Sequence, residues 1–166
     1  MPTLPNAPTA VGQSKRAAHY RVNVLDSSIA TPAMVQVFGL ANVAVTDTFN
    51  LVDNTDYDSI DANGDLWTGQ TIVSKGWSAV LTTTDKRYGD TTPSRDPGQK
   101  FLRKNSGKIV KIQWFDRDGD PDDAFEGYAW VQYAEGDGAV ANTRSATITL
   151  TGDGKKTPIV NPNAAP

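Results

Sequence analysis

Cysteine is absent from the 166-residue chain. Without a thiol, the protein can form no disulfide and no metal site with a cysteine ligand, so it suits assembly in a reducing cytoplasm. A domain of this size can bury roughly 70% of the surface that its unfolded chain exposes. The sequence therefore predicts one domain that is held together by its own packed core.

Long apolar runs and a secretion signal are also missing. No stretch approaches the ~20 apolar residues that a membrane-spanning helix requires. Residues 1–12 lack the basic segment followed by an apolar one that marks a signal peptide. We expect a soluble protein that is made in the cytoplasm and does not contact a membrane.

Residue types that enzymes commonly use are scarce or uninformative. The one histidine, His19, lies where the N-terminal segment meets the first predicted strand, and the glycines are scattered rather than gathered in a phosphate-binding loop. Aspartates occur throughout the chain, so no pair of them stands out as the two carboxylates of a glycosidase. We predict no catalytic residue and no cofactor.

Glutamate is rare among the acidic residues. Of 19 acids only Glu126 and Glu135 are glutamate, and the chain has 14 glycines. Aspartate and glycine favour turns, whereas glutamate favours helix interiors, so the composition indicates strands joined by turn-rich loops. The net charge of −3, with no basic stripe, disfavours tight binding of nucleic acid.

Alternating apolar and polar residues predict several strands. The clearest alternation is at 146–150, with further strand candidates at 20–24, 35–37, 43–51, 71–86, 108–115 and 128–133. Trp114 and Trp130 lie inside such patterns and are expected in the core. Asp96 as N-cap, Pro97, Gln99 three residues after the cap, and Gly107 as a C-terminal stop predict a helix at 97–106. The fold class is mainly β, an antiparallel β-sandwich or barrel with one flanking α-helix.

Three segments have no periodicity. Residues 1–16 form a predicted N-terminal arm, residues 155–166 a C-terminal extension, and residues 52–67 a long polar loop inside the β-domain of 17–154. Disorder alone would disfavour the large side chains in the loop, so we expect the loop to order against a partner. The candidate interface residues are Asp53, Asp56, Tyr57, Asp58, Ile60 and Trp67.

Two acidic runs, 61–65 and 116–120, place oxygen atoms at alternate positions, as calcium-binding loops do. A glycine at the sixth position and a glutamate at the twelfth define the EF-hand loop. Here Leu66 and Pro121 occupy the sixth positions, and Ile72 and Gly127 the twelfth. Tight turns explain the runs better, and the second is expected to connect the two strands of a hairpin.

Short motifs along the chain resemble, in the same order, those of major tail proteins of long-tailed actinobacterial phages. They are Asp-Asn-Thr-Asp-Tyr-Asp-Ser at 53–59, Lys-Gly-Trp-Ser at 75–78, Asp-Pro-Gly-Gln at 96–99 with Leu102 and Arg103, Trp-Phe-Asp-Arg at 114–117, Gly-Tyr-Ala at 127–129, and Ile-Thr-Leu-Thr-Gly-Asp-Gly at 148–154. Each motif alone is short, and together they extend over roughly residues 20–154. The sequence differs from the family at 62–66, where the family loop is shorter.

The resemblance implies a tail tube subunit in the virion, assembled in the host cytoplasm. It implies hexameric rings that stack into a tube, with the loop at 53–67 and an N-terminal arm reaching the adjacent ring. Further implied partners are tail terminator, tape-measure and distal tail proteins, while DNA passes through the lumen without specific binding. The alternatives are a carbohydrate-binding β-sandwich, with calcium as a possible requirement, a glycoside-acting enzyme, and a ring-forming terminator or baseplate relative.

Overall fold

A computed structural model describes residues 20–54, 61–65, 69–85, 87–88, 94–136 and 144–164. These residues form nine strands and one helix in the order β1 (Tyr20–Asp26), β2 (Ala33–Gln36), β3 (Leu40–Asp53), β4 (Gln70–Thr84), β5 (Arg87–Tyr88), β6 (Ser94–Arg95), α1 (Pro97–Lys104), β7 (Ile109–Asp116), β8 (Ala124–Glu135) and β9 (Ser145–Pro158). Seven strands form one antiparallel sheet in the order β2-β1-β7-β8-β9-β4-β3, and β5 pairs with β6.

The seven-stranded sheet curls strongly. Its two edge strands, β2 and β3, are separated by three residues, which can span at most about 14 Å between Gln36 and Leu40. Six strand spacings in a flat sheet would place those edges about 29 Å apart. The sheet must therefore wrap around its inner face, which confirms the predicted antiparallel sandwich or barrel with one flanking helix.

The inner face of the curled sheet forms the core. The strand periodicities at 20–24, 108–115 and 146–150 are confirmed, since Val24, Ile112 and Ile148 are each at most 1% exposed. The prediction for Trp130 is wrong, because that side chain is 48% exposed. Strand β8 directs its small residues Ala129 and Val131 into the core, so the aromatic residue between them falls on the outer face.

Helix α1 closes the corner where the sheet curls. The predicted cap is confirmed, since the Asp96 carboxylate accepts a hydrogen bond from the Gln99 backbone N–H (3.0 Å) and another from the Phe38 N–H (3.3 Å). The Gln99 side chain does not return to the cap. It is buried and donates to the Phe38 and Thr84 carbonyl oxygens at 2.6 and 2.9 Å, so it links the helix to the residues around both edge strands.

The C-terminal segment belongs to the folded domain, which corrects the predicted boundary at residue 154. Strand β9 continues to Pro158, and Asn161 is 2% exposed. The Asn161 amide donates to the carbonyl oxygens of Asp116 and Asp120 at 2.9 and 2.8 Å. The segment is ordered because it satisfies backbone acceptors of the β7–β8 turn, a nonlocal pairing that the proline-rich sequence does not reveal. The turn itself joins β7 to β8 as a hairpin connection, as predicted.

Trp77 packs across β8 and β9 at a point where both strands carry glycine. A methyl group on Gly127 or Gly152 would overlap the Trp77 indole ring, whose Nε1–H donates to the Gly154 carbonyl oxygen at 3.0 Å. The ring also lies 4.9 Å, centroid to centroid, from that of Trp114. The two glycines therefore provide the space for the indole ring of Trp77 in the core.

We predict that Gly152→Ala destabilises the protein by about 1–3 kcal/mol, the usual cost of adding a methyl group to a packed core. Chemical denaturation, followed by far-ultraviolet circular dichroism, measures the change. Thr151→Ala, at an exposed position of the same strand, serves as the control and should change the free energy of unfolding by less than about 0.5 kcal/mol. Equal stability of the two variants would show that the indole does not require this glycine.

Candidate interaction surface

Strands β3 and β4 extend beyond the body of the sheet as a two-stranded ribbon. They pair with each other from Leu40 to Asp53, but β4 pairs with β9 only over Ser78–Thr84. Residues 47–53 and 70–77 thus have no third strand among the described residues, and we call them the β-arm. An isolated two-stranded hairpin is at best marginally stable in water, so a ribbon of this length is expected to pack against something.

The β-arm has one polar face. The Asn50 amide donates to the Ser74 hydroxyl at 2.7 Å, and beyond the end of β3 the Asn54 amide donates to the Thr71 hydroxyl at 2.8 Å. These cross-strand pairs fix the register of the ribbon on that side.

The other face of the β-arm carries three large apolar side chains and continues the inner face of the core. Alternation along β3 places Phe49 and Leu51 on the same side as the buried Val43. On β4 a bulge at Val73 brings Ile72 directly opposite Leu51. Phe49 and Leu51 are each 52% exposed and Ile72 is 46% exposed. Contiguous apolar surface of this kind is characteristic of an interaction site.

The β-arm ends in the predicted loop, which the structure describes only in part. Asp53 is exposed at the end of β3, where it pairs with Gln70, so the strand extends two residues into the predicted 52–67 segment. Asp61 begins a tight turn, its carboxylate accepting from the backbone N–H groups of Asn63 and Asp65 at 2.8 and 3.0 Å. The other candidate residues, Asp56, Tyr57, Asp58, Ile60 and Trp67, lie outside the described residues.

A groove lies at the base of the β-arm, where the ribbon leaves the body. It has a volume of about 510 Å³, and we call it the basal groove. Its lining residues are Asp47, Phe49, Lys75, Gly76, Trp77, Gly154, Lys155 and Lys156. The Lys156 ammonium contacts Asp47 at 2.6 Å and lies 5.1 Å from the centre of the Phe125 ring, so it joins β9 to β3 across the opening.

A cluster of charged side chains beside helix α1 links neighbouring elements of the fold. The Arg95 guanidinium contacts Asp85 at 3.3 Å, Glu135 at 3.2 Å and the Tyr133 hydroxyl at 3.1 Å. Burial raises the pKa of Tyr133 above its usual value. Arg103 also pairs with Glu135 at 2.8 Å, so the cluster ties the helix and the chain before it to β8.

The described residues show no group of three or more histidine or carboxylate side chains that could hold a metal ion. Within this part of the chain, no helix is long and apolar enough to cross a membrane.

Comparison with known proteins assigns the fold. No protein-family model matches the sequence, and no curated protein matches it. Solved structures do match. One is the SPP1 tail tube, determined by solid-state NMR and cryo-electron microscopy. It is 20% identical in sequence, with a TM-score of 0.59, and the match covers 88% of this chain and 80% of that one. A chain from the tail of an empty gene transfer agent particle, refined with C6 symmetry, is 14% identical with a TM-score of 0.62, over 89% of this chain and 100% of that one. A chain from the native gene transfer agent virion is 12% identical with a TM-score of 0.60, over 87% and 98%. The chain has the fold of phage tail tube proteins.

Proposed function

We propose that this protein is the structural subunit of a bacteriophage tail tube and catalyses no reaction. Copies assemble into hexameric rings, and the rings stack into the conduit through which DNA is delivered to the host. The observation that carries the proposal is the β-arm, a projecting ribbon with a half-exposed apolar face on a tail tube fold. The subunit is a component of the virion and is assembled in the host cytoplasm.

Self-assembly would cover a long strand edge that lies at the end of the sheet in the isolated subunit. The outer edge of β3 is 14 residues long and lies at the end of the sheet, so its backbone groups have no described partner strand. A long free edge promotes uncontrolled aggregation unless another chain covers it. Contacts between unlike surfaces close into a ring around an axis, whereas contacts along the axis do not close and produce a filament.

The charge of the subunit suits a conduit for DNA. The net charge is −3, and all but two of the 19 acids are aspartates. A lumen that presents carboxylates repels phosphates, so DNA would pass without specific binding. Tail terminator, tape-measure and distal tail proteins are the further partners that this function requires.

A carbohydrate-binding module is the second candidate. Tyr128 and Trp130 are 53% and 48% exposed on the same face of β8, and two neighbouring aromatic rings can stack on sugars. Retention of the monomer on immobilised glycans, lost in a Tyr128→Ala/Trp130→Ala variant that remains folded, would support it. The β-arm has no role in this alternative.

Electron microscopy of the concentrated purified protein tests the proposed function. We expect hollow tubes of stacked six-fold rings, because the apolar face of the β-arm favours association as concentration rises. Isolated rings would point instead to a terminator or baseplate relative. A protein that stays monomeric at millimolar concentration would contradict self-assembly.

We predict that Tyr57→Ala/Trp67→Ala prevents tube formation and leaves the subunit folded. Both side chains belong to the loop beyond the β-arm, and aromatic side chains supply much of the energy of protein interfaces. Pelleting and electron microscopy measure assembly, and circular dichroism measures folding. Tyr57→Phe/Trp67→Phe keeps an aromatic side chain at both positions and is the matched control. Normal tubes from the alanine variant would exclude these residues as anchors between rings.

We also predict that deleting residues 1–12 leaves the domain folded but shortens or abolishes tubes. The segment precedes β1, the first described element, so its loss removes none of the described contacts of the core. Sedimentation of the deletion variant beside the full chain compares their assembly, and thermal unfolding of the two monomers compares their stability. Full-length tubes at the normal yield would contradict a role for the arm.

A further inference from the structure

We propose that the basal groove receives the acidic loop, residues 53–67, of a copy in the adjacent ring. This inference rests on the proposed function and assigns both sides of one contact between rings. The basal groove lies at the base of the β-arm, whereas Asp53, where the loop begins, lies at its tip.

The basal groove combines an apolar floor with a basic rim. Phe49 and Trp77 form part of the floor. Three lysines and one aspartate line the groove, which gives it a local charge of +2. Lys156 is already engaged by Asp47, whereas Lys75 and Lys155 are exposed and form no ion pair with a described residue. The groove therefore fits an acidic segment that also carries large apolar side chains.

The loop at 53–67 has that composition. It contains five aspartates and no lysine or arginine, so its charge is −5, and it includes Tyr57, Ile60, Leu66 and Trp67. Opposite charges on the groove and the loop would attract, and the aromatic side chains would cover the apolar floor.

Other segments of the chain fit the groove less well. Residues 1–19 contain Lys15 and Arg16 and no acid, and residues 155–166 contain two lysines and no acid, so the basic rim would repel both. The β7–β8 turn at 116–123 is acidic, but it contains no large apolar side chain and is held by Asn161. The loop at 53–67 alone combines both required properties.

In the proposed tube, the loop comes from another copy. Along β3, Asp53 lies four residues beyond Phe49, the lining residue of that strand nearest to it, which at 3.3 Å per residue is about 13 Å. The backbone pair Asp53–Gln70 and the hydrogen bond from the Asn54 N–H to the Gly69 carbonyl oxygen (3.0 Å) hold the two ends of the loop together at the far end of the arm. A contact between the far end of one arm and the base of the next repeats along an axis without closing, as stacked rings require.

The inference is tested by reversing the charge of the rim in Lys75→Glu/Lys155→Glu. We expect a folded monomer whose yield of pelleted polymer falls at least tenfold. Adding Asp56→Lys/Asp58→Lys to the same chain should restore tubes, because both sides of the contact are then reversed. The control, Lys100→Glu/Lys104→Glu, makes the same change of charge on the exposed face of the helix and should assemble normally.

A second measurement separates the inference from the proposed function. A synthetic peptide of residues 53–67 should bind the monomer in fluorescence anisotropy, bind the Lys75→Glu/Lys155→Glu variant at least tenfold more weakly, and weaken as salt is raised. If the peptide binds only when the two lysines are present, and the protein forms no tubes, the proposed contact at the groove is supported and the proposed tube function is overturned. Tubes that form equally well from the charge-reversed variant, or a peptide that does not bind, would overturn the groove and leave the tube intact.

Discussion

The packing of Trp77 against two strands that carry glycine marks the boundary between the core and the β-arm. Trp77 is 4% exposed and is the last buried residue of β4 on the side of the β-arm, since Gly76 and Lys75 beside it are exposed. Its indole occupies the space left by Gly127 and Gly152 and donates to the carbonyl oxygen of Gly154. On one side of this residue β4 pairs with β9 and contributes to the core, and on the other side it belongs to the β-arm.

The same packing determines the path of β9. The pairing of β9 with β4 ends at the Ser78–Thr151 pair, next to the indole, and β9 then continues along β8 as far as the Phe125–Pro158 pair. Gly154, with φ of +86°, lies in this stretch and adopts a backbone conformation that side chains disfavour. Because β9 stays with β8, β4 loses its neighbour and the ribbon of β3 and β4 projects alone. The basal groove is the space that opens between the two.

Local patterns in the sequence were sufficient for the core and the helix, because their signals depend on neighbours a few residues away. Asp96, Gln99 and Gly107 predicted the helix, and alternation predicted the inward residues of β1, β7 and β9. Trp130 was misplaced because both faces of β8 carry apolar residues, so hydrophobicity alone could not tell the inner face from the outer one. Asn161 was missed because its partners lie more than 40 residues away in the chain.

At the candidate site, too, local sequence patterns do not show which apolar residues are exposed. Phe49 and Leu51 follow the alternation of buried strand residues, but they are half-exposed because they lie on the part of the ribbon beyond Ser78, where β9 no longer pairs with β4. No local feature of the sequence encodes where that pairing ends. The unusual acidic loop, by contrast, was visible from composition, and the structure places its described beginning, Asp53, at the tip of the arm.

One strand can supply two kinds of contact in the proposed tube. Residues 40–46 of β3 belong to the body of the sheet and form its outer edge. Residues 47–53 belong to the β-arm. The opposite edge of the sheet, β2, is only four residues long, so edge-to-edge pairing with it would cover about half of the part of β3 on the body and would leave the arm uncovered. The arm then remains available for a neighbour along the axis. Ordering a polar loop costs conformational entropy, so a single weak contact between free subunits would not hold it. In the proposed hexameric ring, six such arms would act together, and their combined contacts would offset a cost that one subunit cannot.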